Sequence, residues 1–141
     1  MGAGAAADRG SPLTVYVLDS TVLIGYLRDT PAIAVSLRRR LGEGHTLATT
    51  CVNLAEVERG LRPKERRRAA TFLDALRILV TDREAARRAG QYQADFASRG
   101  LTIHTADALI AGTTRAHGAV LLTHNISDLP MPDVRVELPH S

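Results

Sequence analysis

The sequence predicts an α/β protein in which helices cover both faces of a mostly parallel central sheet, giving three layers in the order α/β/α. The main observation is an alternation along almost the whole chain. Short apolar, β-branched runs suited to buried strands alternate with stretches of helical apolar spacing. The second observation is length, because 141 residues suit one domain that buries its core without disulfides.

Five apolar runs predict the strands, which in chain order are "VYVL", "HTLATT", "RILV", "AVLLT" and "VRVEL". Residues 1–12, "MGAGAAADRGSP", are rich in Gly and Ala and show neither a strand pattern nor helical apolar spacing. They are predicted to be a disordered tail or a remnant of cloning. A single domain is therefore expected over residues 13–141.

Capping patterns predict where three of the helices begin. Asn53 and Glu56 have the spacing of a capping box, as do Thr81 and Glu84. Thr105 is the expected cap of the helix in "ADALIAGTTRAH". Helices are therefore expected to start just after these residues.

Composition excludes several classes of protein. Hydrophobic residues make up 45% and charged residues 23%, which excludes wholesale disorder. Aromatic residues are only 4%, with no Trp, which argues against a base-stacking platform of the kind single-strand binders use. No apolar run approaches the roughly 20 residues of a membrane span. The one cysteine, Cys51, cannot form an internal disulfide and is expected to be a small buried hydrophobe in a cytoplasmic protein.

Arginine is concentrated in short stretches of a chain whose net charge is +3. These stretches are Arg38 to Arg40 and Arg62 to Arg68, with Arg87 and Arg88 adding to them. Such clusters can bind a phosphate backbone. They are also typical of solvated helix faces, since arginine is a good helix former, and both interpretations stay open.

Three acidic residues follow or stand near the ends of apolar runs, where helical patterns begin: Asp19, Glu56 and Asp107. If the runs are neighbouring parallel strands, residues after them converge on one edge of the sheet, where α/β proteins bind ligands. Like charges about 4 Å apart repel by roughly 4 kcal/mol at an effective dielectric of about 20. A divalent cation would relieve that repulsion.

Each acid also has a purely structural interpretation. Asp19 can cap a helix, Glu56 can complete the box with Asn53, and Asp107 can lie in a first turn that favours negative charge. Taken singly, each of these explanations suffices. Only the convergence of all three at one edge favours a metal site.

Four blocks of the sequence carry a resemblance to a known family. They are "VLDSTVLIGYL" from Val17, "NLAEVERG" from Asn53, "TADALIAGTT" from Thr105 and "VLLTHNISDLP" from Val120. In this order they resemble the blocks of PIN-domain ribonucleases, and among them the VapC toxins of type II toxin–antitoxin pairs. The resemblance extends from about Leu13 to Pro139.

The resemblance implies a site for Mg²⁺ or Mn²⁺ and assigns its residues. The acidic ligands would be Asp19, Glu56 and Asp107, with Asn125 at the fourth position. Asp128 could lend a further carboxylate. Because Asn125 is neutral, the site would carry less charge than one with four carboxylates, which leaves the number of ions open.

The same resemblance implies further residues around the acids. Ser20 and Thr123 match hydroxyl positions found beside the acids in this family. Arginines of the basic helices would contact the RNA phosphates, and the candidates are Arg38, Arg39, Arg40, Arg66 and Arg67.

The function implied is a metal-dependent endoribonuclease that attacks phosphodiester bonds with metal-activated water. As a toxin it would be a homodimer bound by a cognate VapB-type antitoxin. Transfer, ribosomal and messenger RNA all stay open as substrates. One alternative is a non-catalytic PIN-like module that binds RNA or serves as a scaffold. Another is a phosphohydrolase, which would want a lysine near the site, whereas the only lysine is Lys64 in an arginine-rich segment.

Overall fold

The computed structural model describes residues 13–140. The tail expected over residues 1–12 lies outside the described residues, as does Ser141. Within the described part of the chain, no helix combines the length and the apolar character needed to cross a membrane.

All five predicted strands are present and form one sheet. They are β1 (Val15–Leu18), β2 (Thr46–Thr50), β3 (Arg77–Leu79), β4 (Val120–Leu122) and β5 (Arg135–Glu137). The sheet order is β3-β2-β1-β4-β5, and every neighbouring pair is parallel. The central strand β1 aligns Val17 with Ala48 of β2 and with Leu121 of β4. The carboxyl ends of β1, β2 and β4 therefore meet at one edge of the sheet.

Six helices connect the strands. They are α1 (Ser20–Leu27), α2 (Pro31–Gly42), α3 (Cys51–Gly60), α4 (Arg66–Ala75), α5 (Arg83–Ala97) and α6 (Thr105–Ala116). Two 3₁₀ turns, Pro63–Glu65 and Ile126–Asp128, precede α4 and follow β4.

Side chains that alternate along the strands build a separate core on each face of the sheet. Leu18 and Leu122 pack with residues of α1 to α4, including Leu37 and Val57. Residues on the other side of the same strands pack with α5 and α6 and with the segment before β5; among them are Val17, Leu121, Phe96, Ala111 and Met131. The predicted three-layer α/β/α architecture is confirmed.

Helices α5 and α6 approach each other unusually closely. A Cβ added to Gly112 of α6 would lie 2.4 Å from the carbonyl oxygen of Ala85 and 3.1 Å from the amide nitrogen of Ala89, both in α5. Only glycine fits at this crossing, because its neighbours are backbone atoms that cannot rotate away.

The predicted caps are wrong by one to three residues. Thr50, and not Asn53, caps α3, with its Oγ1 accepting from the Asn53 amide at 3.1 Å. Asp82 caps α5 in place of Thr81, because its carboxylate accepts from the Ala85 amide. Thr105 is the first residue of α6, which follows His104. In each case another polar residue, one to three positions earlier or later in the chain, occupies the N-cap position.

Cys51 is exposed, so the expectation that it is buried is wrong. It is the first residue of α3, immediately after the buried end of β2. The expectation rested on the hydrophobic character of the residue type, and the strand that is buried ends at Thr50.

Candidate active site

Asp19 lies at the junction of β1 and α1, at the carboxyl edge of the sheet. Its backbone N–H donates to the carbonyl oxygen of Leu122 at 3.1 Å, which ties the junction to the end of β4. Its side chain caps α1, with Oδ1 accepting from the Ser20 amide at 2.9 Å. Asp19 is therefore both a helix cap and a half-buried carboxylate at the predicted edge.

Two side chains from other elements also bind the Asp19 carboxylate. Thr123, fully buried at the end of β4, donates from Oγ1 to Oδ2 at 2.6 Å. Asn53 of α3, also fully buried, donates from Nδ2 to Oδ1 at 2.8 Å. The carboxylate is thus fixed by groups from α1, α3 and the end of β4.

Glu56 is connected to Asp19 through Ser20. The Ser20 hydroxyl donates to Glu56 Oε1 at 2.5 Å and accepts from Asn53 Nδ2 at 3.0 Å. Glu56 lies one turn beyond Asn53 on α3, so both side chains face α1. The two hydroxyl residues predicted beside the acids, Ser20 and Thr123, both contact them.

Asp107 lies in the first turn of α6 and is half-buried. Burial raises the pKa of this carboxyl above its usual range, and the negative charges of Asp128, Asp19 and Glu56 raise it further. The nearby His104 acts in the opposite direction. All four carboxylates therefore belong to one electrostatic neighbourhood.

Asn125 and Asp128 lie in the exposed turn that follows β4. The backbone N–H of Asn125 donates to Thr123 Oγ1 at 3.0 Å, so the hydroxyl that binds Asp19 also fixes the start of this turn. Asp128 and Asp107 line a shallow groove of about 200 Å³ together with His104. The turn thus places its acid beside α6.

The donor chemistry of this neighbourhood fits a hard divalent cation, since carboxylate and amide oxygens are the ligands that Mg²⁺ and Mn²⁺ prefer. Across residues 13–140, however, no three side chains of His, Cys, Asp or Glu lie close enough together to hold a metal ion. The convergence expected from the sequence is present as a set of interacting charges, and not as a closed cage of ligands.

The candidate RNA-binding arginines differ in their surroundings. Arg38, Arg39, Arg66 and Arg67 are exposed. Arg40 is only 4% exposed, with its guanidinium 4.7 Å from the centre of the Tyr16 ring and 3.6 Å from Glu137. The assignment of Arg40 to an RNA-binding surface is therefore wrong, because this side chain packs against the sheet.

Sequence reasoning missed Asn53 as part of the site, having assigned it to a helix cap. The available signal was its spacing from Glu56. Residues three apart share one helix face, so Asn53 had to face the same side as that acid.

Comparison with known proteins identifies a family whose matched region includes the candidate site residues. The model of the PIN-domain family matches residues 16–127, which include Asp19, Glu56, Asp107 and Asn125. The chain belongs to the PIN-domain family. Within it, "Ribonuclease VapC19" of Mycobacterium tuberculosis is 30% identical over 120 residues, which span 84% of this chain and 96% of that protein. "Ribonuclease VapC10" of the same organism is 33% identical over 117 residues, spanning 83% of this chain and 87% of that protein.

Solved structures share the fold of this chain. One is VapBC2 from Rickettsia felis bound to a DNA fragment from its promoter. It superposes with a TM-score of 0.79 at 23% identity, covering 89% of this chain and 98% of the matched chain. This likeness confirms the parallel α/β/α architecture.

Proposed function

We propose that this chain is the endoribonuclease toxin of a toxin–antitoxin pair and that it hydrolyses RNA phosphodiester bonds with Mg²⁺ or Mn²⁺. The observation that carries the proposal is the electrostatic neighbourhood of Asp19, Glu56, Asp107 and Asp128 at the carboxyl edge of a PIN-domain sheet. The relatives named as VapC ribonucleases support RNA as the substrate.

The residues that would hold the cation are Asp19, Asp107 and Asn125, with Glu56 binding it or positioning the attacking water. When bound, the cation lowers the pKa of a water ligand and neutralises charge on the scissile phosphate. Mg²⁺ is commonly held by one or two carboxylates together with waters and substrate phosphate. The open arrangement of these side chains suits that mode of binding better than a cage made of protein ligands alone.

Glu56 is suited to accept the proton of the attacking water. Its Oε1 accepts from Ser20, which fixes the carboxylate, and no contact within the described residues occupies Oε2. A positioned carboxylate of this kind acts as a general base when water lies within hydrogen-bonding distance. By contrast, both oxygens of Asp19 accept hydrogen bonds. Oδ1 accepts two, and Oδ2 accepts one from the Thr123 hydroxyl.

The exposed arginines supply phosphate contacts in this proposal. Arg38, Arg39 and Arg67 are exposed, as is Arg66, whose ion pair with Glu58 at 3.3 Å is itself exposed. Exposed ion pairs contribute only about 0–1 kcal/mol, so Arg66 can exchange Glu58 for a phosphate at little cost.

We also propose two protein partners. The first is a cognate VapB-type antitoxin whose chain covers the acidic edge, where an arginine would offset the negative charges of Asp128, Asp19 and Glu56 that surround Asp107. The solved VapBC assemblies support such a partner. The second is another copy of this chain. Co-purification with the product of an adjacent small gene tests the first, and the mass of the purified toxin in solution tests the second.

Cleavage of total cellular RNA by the purified protein tests the function. We expect discrete fragments with Mg²⁺ or Mn²⁺ and none with EDTA. Asp19→Asn should reduce cleavage by at least about a hundredfold, because it removes a charge from the site that stabilises the transition state. Its amide keeps the size of the side chain, so the circular dichroism spectrum should not change.

Asp95→Asn is the matched control. Asp95 is exposed on α5 and pairs with Arg99 one turn away, outside the acidic neighbourhood. It should cleave like the wild type. Undiminished cleavage by a folded Asp19→Asn variant would contradict the proposal, and RNA binding without divalent-dependent cleavage would identify a non-catalytic PIN module instead.

A further inference from the structure

We propose that Asn53 is a positioning residue that sets which oxygen of Asp19 faces the cation and links Asp19 to Glu56. The inference rests on the proposed metal-dependent function. It comes from the contacts of one amide side chain that is 0% exposed.

The orientation of the Asn53 amide is determined by Thr50 on one side and by the Asp19 carboxylate on the other. The Thr50 hydroxyl accepts from the Asn53 backbone N–H at 3.1 Å, which leaves its own hydrogen to be donated to Asn53 Oδ1 at 2.8 Å. Rotating the amide by half a turn would place its oxygen against the Asp19 carboxylate and its NH₂ group against the Thr50 hydroxyl. The local hydrogen bonds therefore direct the NH₂ group toward Asp19.

Both hydrogens of that NH₂ group are used at the site. One goes to Asp19 Oδ1 at 2.8 Å and the other to Ser20 Oγ at 3.0 Å. A buried amide normally has its hydrogen-bonding groups satisfied, and here the donors are satisfied by the acidic site itself. The cap of α3 needs only the Thr50 hydroxyl, so helix formation does not explain the amide.

The contacts of Asp19 leave its two oxygens unequal. Oδ1 accepts from the Ser20 amide and from Asn53, which uses both of its lone pairs. Oδ2 accepts from Thr123 alone among the described residues. Oδ2 is thus the oxygen with a lone pair left for a cation, and Asn53 maintains this asymmetry.

Asn53 also determines the direction of the Ser20 hydroxyl. Because Ser20 Oγ accepts from Asn53, its hydrogen is directed to Glu56 Oε1, at 2.5 Å. One buried amide therefore orients the carboxylate of Asp19 directly and that of Glu56 through Ser20. Residues that orient ligands in this way typically change metal affinity or activity by about 10- to 100-fold when replaced.

Binding of Mn²⁺ without RNA, followed by the electron paramagnetic resonance signal of the free ion, tests the inference. Asn53→Ala should weaken Mn²⁺ binding about 10- to 100-fold. Thr50→Val, which keeps the Asn53 side chain but removes the hydroxyl that caps α3 and donates to Asn53 Oδ1, should weaken binding in the same direction. Thr50→Ser, which keeps the hydroxyl, should restore it.

Thr114→Val is the matched control for loss of a buried hydrogen bond. Thr114 is fully buried in α6 and donates to the carbonyl oxygen of Ile110 at 2.8 Å. It should lower the melting temperature without changing Mn²⁺ affinity. In an Asp19→Asn background, Asn53→Ala should add little further loss, because its main target is gone.

Two outcomes would overturn the inference. The first is wild-type Mn²⁺ affinity in folded Asn53→Ala. If that variant does not fold, equal affinities of Thr50→Val and Thr50→Ser would overturn it in the same way. If either outcome occurs while the wild-type protein binds Mn²⁺ and cleaves RNA, the role of Asn53 is wrong but the proposed function still holds. A wild type that binds no Mn²⁺ would contradict both.

Discussion

Asp107 experiences two opposing influences. The N-terminus of α6 favours its negative charge by about 0.3–1 kcal/mol, as at any helix start. Burial, and after it the charges of Asp128, Asp19 and Glu56, oppose ionisation and raise the pKa. A carboxylate that served only the helix dipole would have a lowered pKa. The raised pKa of Asp107 therefore reflects its burial beside three other acids.

Asp107→Asn should stabilise the metal-free protein at neutral pH by on the order of 1 kcal/mol or less, after screening by solvent. The raised pKa means that the folded state holds the Asp107 proton more tightly than the unfolded state does. Its stabilising contribution is complete in acid and is lost as the pH rises through the raised value. The variant and the wild type should therefore converge in acid.

Thermal denaturation in EDTA over a range of pH measures this difference. Asp95→Asn again serves as the control, and it should not stabilise the protein, because it removes an ion pair with Arg99. A wild type more stable than Asp107→Asn at neutral pH in EDTA would show that burial and the neighbouring acids do not disfavour the Asp107 charge.

At the same scale, the sequence predicted that Asp19 and Glu56 lie at the carboxyl edge of the sheet. Both residues follow strands closely, and the carboxyl ends of parallel strands share one edge. It did not predict the partner of Asp19 on α3. The polar residues of that segment can each cap a helix, and the choice between Thr50 and Asn53 depends on where β2 ends. That boundary is set by pairing with β1 and β3, which local sequence does not encode.

At the scale of the elements, the contact between α5 and α6 depends on Gly112. Helical periodicity placed both helices correctly, but it gave no information on how closely they approach. The distance follows from which small residues face each other, namely Gly112 against Ala85 and Ala89. This packing supports the helix that carries Asp107.

Gly112→Ala should destabilise the protein by about 1–3 kcal/mol, because the added methyl group would overlap backbone atoms of α5. Gly90→Ala is the matched substitution on α5 itself. Its Cβ would meet no atom within 4 Å outside its own helix, so it should stabilise the protein by about 0.5–1 kcal/mol through helix propensity. Chemical denaturation measures both, and equal effects of the two substitutions would contradict the close crossing.

At the scale of the whole molecule, the alternation of strand and helix was sufficient to predict the architecture. The short apolar, β-branched runs identified all five strands. The order β3-β2-β1-β4-β5 was not predictable in the same way, because it depends on which face each connecting helix covers. The buried position of Arg40 was missed for a related reason, since a run of three arginines does not reveal which one faces the sheet.

The folded molecule combines two charge distributions that serve one proposed reaction. Acids gather at the carboxyl edge of the sheet, whereas exposed arginines lie on α2 and α4. In the proposed reaction an RNA strand would need both, with the arginines neutralising its phosphates and the acids holding a cation at one of them. We propose that water, and not a hydroxyl of the RNA, attacks the phosphorus.

The most direct test of that claim is a single-turnover cleavage in ¹⁸O-labelled water with Mg²⁺, followed by mass spectrometry of the fragment ends. Attack by water forms a bond from the water oxygen to phosphorus as the bond to the leaving ribose oxygen breaks. We expect a terminal phosphate that contains a solvent oxygen, formed only with the metal. A 2′,3′-cyclic phosphate without solvent oxygen, formed equally well in EDTA, would contradict it.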